Sequence, residues 1–294
     1  MISCNLMGGL GNQLFQIAAA FAYSIQYNIS CVFPYNEELT IGQSRPTYWN
    51  TFLLELKPYT THYTNNLMIN NEMLFNLPKY HEPSFQYTQI QQPRHSNTND
   101  FMLSGYFQSY KYFEKYQNDI FDIIRIDAHQ YTIKKEYPQY FTENFPDNTP
   151  NKLISIHFRL GDYKHKQEFH PILPYEYYEK SLEIIPSNEL KKYTILYCCE
   201  KEDNEHCLNV INRLKEKFGI QFIKIDDEID DWKQLLIMSC CNINIIANSS
   251  FSLWAAYFNS FEDKIVIYPN IWFGHKIHHN TNDMFPPEWI KITI

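Results

Sequence analysis

Seven consecutive residues carry the densest chemistry in the chain: His157, Phe158, Arg159, Leu160, Gly161, Asp162 and Tyr163. They close an apolar run, Lys152–Phe158, that predicts a strand. Alternation along a strand puts His157 and Arg159 on one side and Phe158 and Leu160 on the other. An arginine at a strand end offers a planar fork suited to bidentate phosphate binding. Arg159 can equally pair with Asp162 across the turn, and the two roles are compatible. A second group, Ala247-Asn248-Ser249-Ser250-Phe251-Ser252, lies between the run Ile243–Ala247 and the helical spacing of Phe251–Asn259. Small hydroxyl residues at such a junction cap the helix or donate to a phosphate, and both readings stand here.

A third group is Gly8-Gly9-Leu10-Gly11-Asn12-Gln13, between a strand over Ile2–Met7 and an Ala-rich helix over Asn12–Gln26. Gly9 and Gly11 permit close backbone approach to a ligand, with the Asn12 and Gln13 amides lining the cleft loop. The plainer alternative is a tight turn with Asn12 as helix N-cap. A dinucleotide fingerprint fails, because Leu14 takes the last glycine position and Val32-Phe33-Pro34 lacks the acid. The acidic run Asp226–Asp231 offers Asp-x-Glu where metal-dependent sugar transfer uses Asp-x-Asp. It reads as a solvated loop, with Asp230 or Asp231 capping the next helix. His275, His278 and His279 are loosely spaced, with no carboxylate before Asp283. No metal site is expected.

These groups need a scaffold, and the second half supplies a legible one. Short apolar runs at Lys152–Phe158, Tyr193–Cys198, Ile220–Ile225, Ile243–Ala247 and Lys264–Tyr268 predict strands. Helical spacing separates them at Pro174–Ile185, Asp203–Phe218, Asp231–Cys241 and Phe251–Asn259. Such alternation indicates a doubly wound, mostly parallel sheet, which binds ligands beyond the carboxyl ends of its strands. Residues after His157 and Ala247 are therefore where chemistry is expected. The first half resumes order at Phe101–Tyr106 and in a helical run near Tyr110–Ile124. Tyr137–Asn151, rich in Pro, Asn and Thr, is the candidate linker between lobes 1–148 and 149–294.

Composition narrows the partners. A net charge of −8 argues against a nucleic-acid binder, so an anionic ligand must be met by a local cluster of donors. The seven cysteines include the pairs Cys198-Cys199 and Cys240-Cys241 but no C-x-x-C, which suits free, buried thiols and not zinc. No basic leader and no apolar run of about 18 residues is present, so a soluble, cytoplasmic protein without a membrane span is expected.

Four segments taken together resemble glycosyltransferase family 11, the inverting α-1,2-fucosyltransferases. They are Gly8-Gly9-Leu10-Gly11-Asn12-Gln13-Leu14-Phe15-Gln16, Gly105-Tyr106-Phe107-Gln108-Ser109, His157-x-Arg159-x-Gly161-Asp162-Tyr163 and Ile246-Ala247-Asn248-Ser249-Ser250-Phe251-Ser252. The resemblance implies an α/β, GT-B-like fold of two Rossmann-type lobes with mostly parallel sheets facing a central cleft. It implies fucose transfer from GDP-L-fucose to a galactose hydroxyl of a glycan, with inversion and without metal or other cofactor. By the same resemblance Arg159 contacts the β-phosphate and His157 lies near the guanine or diphosphate. Asn248, Ser249, Ser250 and Phe251 line the donor pocket, and Asn12 and Gln13 reach in from the other lobe. Glu168, nine residues after Arg159, is the candidate base, with Asp162 and His157 as rivals. The chain departs from the family at Leu160, where a second Arg is usual, and at Gln234, where an Asp is usual. Asp231 is the nearest substitute for that Asp in the donor pocket. Ile243 and Leu253 stand where a His and a Trp are common. The alternatives are another GDP- or UDP-sugar transferase, or a decayed nucleotide-sugar- or glycan-binding module.

Overall fold

The inner strands of the second half are buried on both faces, and that explains why they read as continuous apolar runs and not as alternating ones. In a computed structural model, residues 1–40, 44–63, 69–93, 99–141 and 152–294 are described. The chain divides into two units, 1–127 with 279–286, and 128–278 with 287–294. The lobe boundary expected at 148/149 lies outside the described residues, as does most of the candidate linker.

The first unit runs β1 (Ile2–Cys4), α1 (Leu10–Tyr27), β2 (Glu38–Leu39), β3 (Arg45–Pro46), α2 (Asn71–Phe75), β4 (Lys79–His81), β5 (Phe101–Ser104) and α3 (Gln117–Ile124). β1, β5 and β4 form a parallel sheet in that order. Isolated parallel bridges Ile2–Cys31 and Phe33–Thr60 continue it beyond β1. α1 is buried from Leu10 to Tyr23 except at Asn12, its alanines letting it lie close under the sheet. Arg125 takes a left-handed conformation (φ 65°) and breaks the helical run after α3.

The second unit begins within α4 (Ile126–Glu136) and continues β6 (Lys152–His157), α5 (Tyr175–Glu183), α6 (Ser187–Leu190), β7 (Tyr193–Cys198), α7 (Asn204–Phe218), β8 (Gln221–Lys224), α8 (Asp231–Ser239), β9 (Ile243–Ile245), α9 (Ser250–Phe258), β10 (Ile265–Pro269) and β11 (Ile290–Ile292). Its six strands are all parallel, in the order β8-β7-β6-β9-β10-β11. The order runs outward one way from β6 and the other way from β9, so the topological switch point falls between those two strands. On one face Ile154, Ile156, Phe158 and Leu160 pack with Tyr177, Tyr178 and Leu182 of α5 and Cys207, Ile211 and Leu214 of α7. Burying each such large side chain contributes roughly 1.5–3 kcal/mol. On the other face Asn244 donates to Ser155 Oγ and to the Met238 carbonyl, both at 2.8 Å, linking the sheet to α8. Gln130 of α4 donates to Ser239 Oγ and to the Phe258 carbonyl, both at 2.9 Å. This places residues ahead of the expected linker in the second unit.

All seven cysteines are free and buried. No helix among the described residues is long and apolar enough to cross a membrane.

Candidate functional site

The switch point brings together the two segments that sequence singled out. The loop after β6 carries Arg159–Tyr163, and the loop after β9 carries Ala247–Ser249 and opens into α9. The positive end of the α9 dipole and its first backbone N–H groups therefore stand at the carboxyl edge of β9, where an anion is favoured.

Asn248 ties the crevice together. Its Nδ2 donates to the Pro171 carbonyl at 2.9 Å and to the Trp272 carbonyl at 3.3 Å. Its own carbonyl accepts the Tyr163 hydroxyl at 3.2 Å. Its Oδ1 is buried with no partner among the described residues. Ser249 is the N-cap of α9, accepting from Phe251 N at 3.3 Å, and Ser250 is the first helical residue. Of the two serines, Ser249 takes the capping role. His157 is buried with its ring 5.4 Å from that of Phe251, and its Nδ1 is likewise unpartnered. Burial, with the Arg159 charge second, pushes the His157 pKa down to about 3, so the ring is neutral near pH 7. His157 Nδ1 and Asn248 Oδ1 are both buried acceptor-capable atoms without a partner among the described residues, one at the end of β6 and one in the loop after β9.

Arg159 and Asp162 pair as their spacing allows, Nη2 to Oδ1 at 2.5 Å, and Lys166 also reaches Asp162 at 3.3 Å. Arg159 Nη1 binds Glu200, the residue two beyond the end of β7. The guanidinium lies 4.8 Å from the centre of the Tyr163 ring. Gly161 is left-handed (φ 41°) and its N–H donates to buried Asp203 at 2.7 Å. Asp203 also pairs with Lys164. Glu200 and Asp203 were not singled out in sequence; the signal available was their position just past the end of a strand.

Glu168 lies further along the same loop. Its carbonyl accepts from Lys276 N at 3.0 Å, and Gly274 N donates to the Phe169 carbonyl at 2.8 Å. Gly274 permits this approach, since a Cβ there would overlap the Glu168 backbone. The Glu168 carboxylate is exposed, 2.5 Å from Lys276 Nζ and 3.8 Å from His275 Nε2. Asp231 heads α8 beyond the edge strand β8, two strands from β6, and is exposed. Asp230 holds the N-cap position of α8 without a side-chain bond.

In the first unit the glycine segment differs from expectation. α1 begins at Leu10 with Gly9 as N-cap, so Gly11, Asn12 and Gln13 belong to its first turn, not to a loop, and Asn12 is not the cap. Gly8 is left-handed (φ 76°) and makes the strand-to-helix turn instead. Gln13 is fully buried, its Nε2 donating to the carbonyls of Gly8 at 3.0 Å and Pro46 at 2.9 Å. Gln16 grips Met7 at both N and O, 2.8 and 3.3 Å. Asn12 Oδ1 accepts from Gln108 at 2.7 Å, joining the first two sequence segments at adjacent strand ends. Glu82, not foreseen, accepts from the backbone N–H groups of Tyr106 and Phe107 at 2.8 and 3.0 Å, and burial raises its pKa. These contacts hold Phe107 in its left-handed conformation (φ 52°).

The chain matches the family model of Glycosyl transferase family 11 over residues 1–293. It belongs to glycosyltransferase family 11. It is similar to the O-antigen biosynthesis glycosyltransferase WbnK of Escherichia coli, 26% identical over 99% of this chain and 100% of that protein. It is also similar to an α-1,2-colitosyltransferase of Escherichia coli, 26% identical over 99% of each. Among solved structures it resembles POFUT1 in complex with GDP-fucose, at 12% identity and a TM-score of 0.50, covering 91% of this chain and 96% of that one. That likeness concerns the fold, which is the α/β, GT-B-like class expected. The family 11 chain is thus a glycosyltransferase of fucosyltransferase type, and its switch-point crevice is the candidate donor site.

Proposed function

We propose that the protein transfers L-fucose from GDP-L-fucose to the 2-hydroxyl of a galactose residue on a glycan, with inversion. The observation that carries this reading is the placement of Arg159 and the α9 N-terminus on the two loops that flank the β6–β9 switch point. Inverting transfer breaks the bond from sugar C1 to the diphosphate and forms one to the acceptor oxygen. Negative charge grows on the departing diphosphate, where the Arg159 fork and the α9 amides stabilise it. This supplies the leaving-group stabilisation from the chain itself, so the reaction is proposed to need no metal. The unpartnered Asn248 Oδ1 and the neutral His157 ring give the nucleotide its hydrogen-bond partners. The α-1,2 linkage draws support from the colitosyltransferase relative.

The acceptor proton goes to Glu168 on this proposal. The carboxylate is exposed, on a loop fixed by the Gly274–Lys276 bonds and by Asn248 at Pro171. Glu168 itself pairs with Lys276, whereas Asp162, its rival, is bound to the Arg159 fork, where taking up a proton would weaken the clamp. Glu168→Gln is expected to lower kcat by roughly 100-fold or more, within the range for a lost general base, with GDP binding retained. An unchanged kcat removes Glu168 from this role.

A second donor reading is favoured by the same relative: a GDP-linked deoxyhexose such as GDP-colitose in place of GDP-L-fucose. Incubation with GDP-L-fucose, GDP-colitose, GDP-mannose and UDP-galactose over a panel of β-galactosides, with linkage mapping and added chelator, tests donor, acceptor and metal together. Turnover only with a UDP-sugar, or none with any donor, overturns the proposal.

A further inference from the structure

The loop carrying Arg159 is locally balanced in charge. Arg159 and Lys166 face Asp162 and Glu200, while Lys164 faces Asp203. Glu200 and Asp203 differ from the other members because they follow another strand, and of these two Glu200 is the one that meets Arg159. That strand is β7, which adjoins β6 on the side away from β9. The ligand crevice opens between β6 and β9, so Glu200 holds the guanidinium from behind.

A seat is built for this carboxylate. A Cβ on Gly161 would stand 2.5 Å from Glu200 Oε2 and 2.7 Å from Oε1, so any larger residue there would push this carboxylate off its seat. Gly161 is also left-handed, and buried Asp203 pins its N–H. Three features of the loop thus converge on admitting Glu200 to Nη1 while Asp162 takes Nη2. Each terminal nitrogen of a guanidinium carries two hydrogens, so one on each remains for a diphosphate oxygen. Two carboxylates on two nitrogens fix the plane of the fork before any ligand arrives, and the Tyr163 ring supports its face.

We propose that Glu200 is a positioning residue for the transfer reaction: it orients Arg159 toward the departing diphosphate, and Gly161 exists to admit it. This rests on Arg159 being the diphosphate clamp. Glu200 does not bind the nucleotide itself. As a carboxylate it opposes an incoming anion, so its removal should not weaken GDP binding. It should slow the step in which the fork must meet growing charge.

The test is a double-mutant cycle on Glu200→Ala and Arg159→Lys, with steady-state kinetics and GDP titration calorimetry. Glu200→Ala is expected to lower kcat roughly 10- to 100-fold, the size of effect a misplaced group produces. Its GDP dissociation constant should stay within roughly threefold of native or fall, as for loss of an exposed opposing charge. Glu200→Gln, which keeps an accepting oxygen, should be intermediate, and Glu200→Asp should recover most of the rate. In the Arg159→Lys background, Glu200→Ala should have little further effect. A native kcat in Glu200→Ala overturns the proposal. So does a loss of kcat matched by an equal loss of GDP affinity, or full additivity with Arg159→Lys. If Arg159→Ala itself keeps its turnover, the donor-site reading fails first and this one with it. If Arg159→Ala is dead but Glu200→Ala turns over at the native rate, only the positioning role fails. Should Glu200→Ala fold poorly, Glu200→Gln carries the same comparison with the charge alone removed.

Discussion

The Tyr163 hydroxyl donates to the Asn248 carbonyl at 3.2 Å, so the loop leaving β6 is bonded directly to the loop leaving β9. The same ring supports the Arg159 guanidinium at 4.8 Å. One side chain therefore sets both the span of the crevice and the height of the fork. Tyr163→Phe keeps the ring and loses the bond. It should cost about 1 kcal/mol of stability, the net worth of one such hydrogen bond, and raise the donor KM several-fold. Denaturant unfolding and donor titration measure the two effects. A native KM would mean that the loops hold their spacing without this bond.

Arg159→Ala should abolish transfer with the fold retained, because the residue lies past the end of β6 and outside the apolar cluster. Arg159→Lys should keep a small fraction of the rate. An ammonium supplies the charge but not the two parallel donors of the fork. Circular dichroism and thermal unfolding check the fold, and donor turnover checks the chemistry. Equal rates for the Lys variant and the native enzyme would reduce the role of Arg159 to charge alone.

The second unit was readable because buried parallel strands leave uninterrupted apolar runs, and five of its six strands stand within a few residues of their expected positions. β11 was missed because Ile290–Ile292 follows a long stretch of Pro, Asn and His with no strand signal of its own. The helical run near Tyr110–Ile124 resolves into short turns before α3, and α4 was missed altogether. Nothing in a sequence announces that Arg125, a non-glycine, will turn left-handed and separate α3 from α4. Arg159 and the Asn248 turn were legible because a strand end fixes where their side chains go. Glu200 was not, because its meeting with Arg159 depends on β7 lying beside β6, and strand order is not written in local spacing. Gln13 misled for the converse reason. Its amide looks available in sequence, yet the side chain is buried and its Nε2 is taken by the carbonyls of Gly8 and Pro46.

His157 gives a pH dependence of definite sign. Its folded pKa is held near 3 by burial and by Arg159, against an ordinary value of 6.5 in the unfolded chain. Below pH 6.5 the unfolded chain takes the proton first, so stability falls as pH drops toward 3 and is full above 6.5. Between pH 6.5 and 5 this one group should remove about 2 kcal/mol. His157→Gln should flatten the stability curve over that interval by the same amount, measured by denaturant unfolding at a series of pH values. Parallel curves for the two proteins would show that His157 does not bear the proton-linked cost.

Leu160 stands where the family usually carries a second arginine, and the structure shows what restoring it would do. The side chain is 3% exposed and packs in the apolar cluster with Phe158, Tyr178 and Cys207, on the sheet face opposite Arg159. An arginine there would place a charge among aliphatic and aromatic groups, and the buried carboxylate nearby, Asp203, is already taken by the Gly161 N–H and Lys164. Breaking or omitting one partner of a buried ion pair costs about 3–5 kcal/mol, so Leu160→Arg should destabilise the protein by at least about 3 kcal/mol. The donor KM should not improve, because residue 160 points into the apolar cluster and away from the crevice. Leu160→Met, of similar volume, should cost less than about 1.5 kcal/mol and serves as the packing control. Unfolding midpoints and donor KM for the two variants decide the matter. A stable Leu160→Arg enzyme with a lowered donor KM would mean that the loop after β6 can turn residue 160 toward the diphosphate, and that Arg159 does not act as the lone side-chain cation of this strand end.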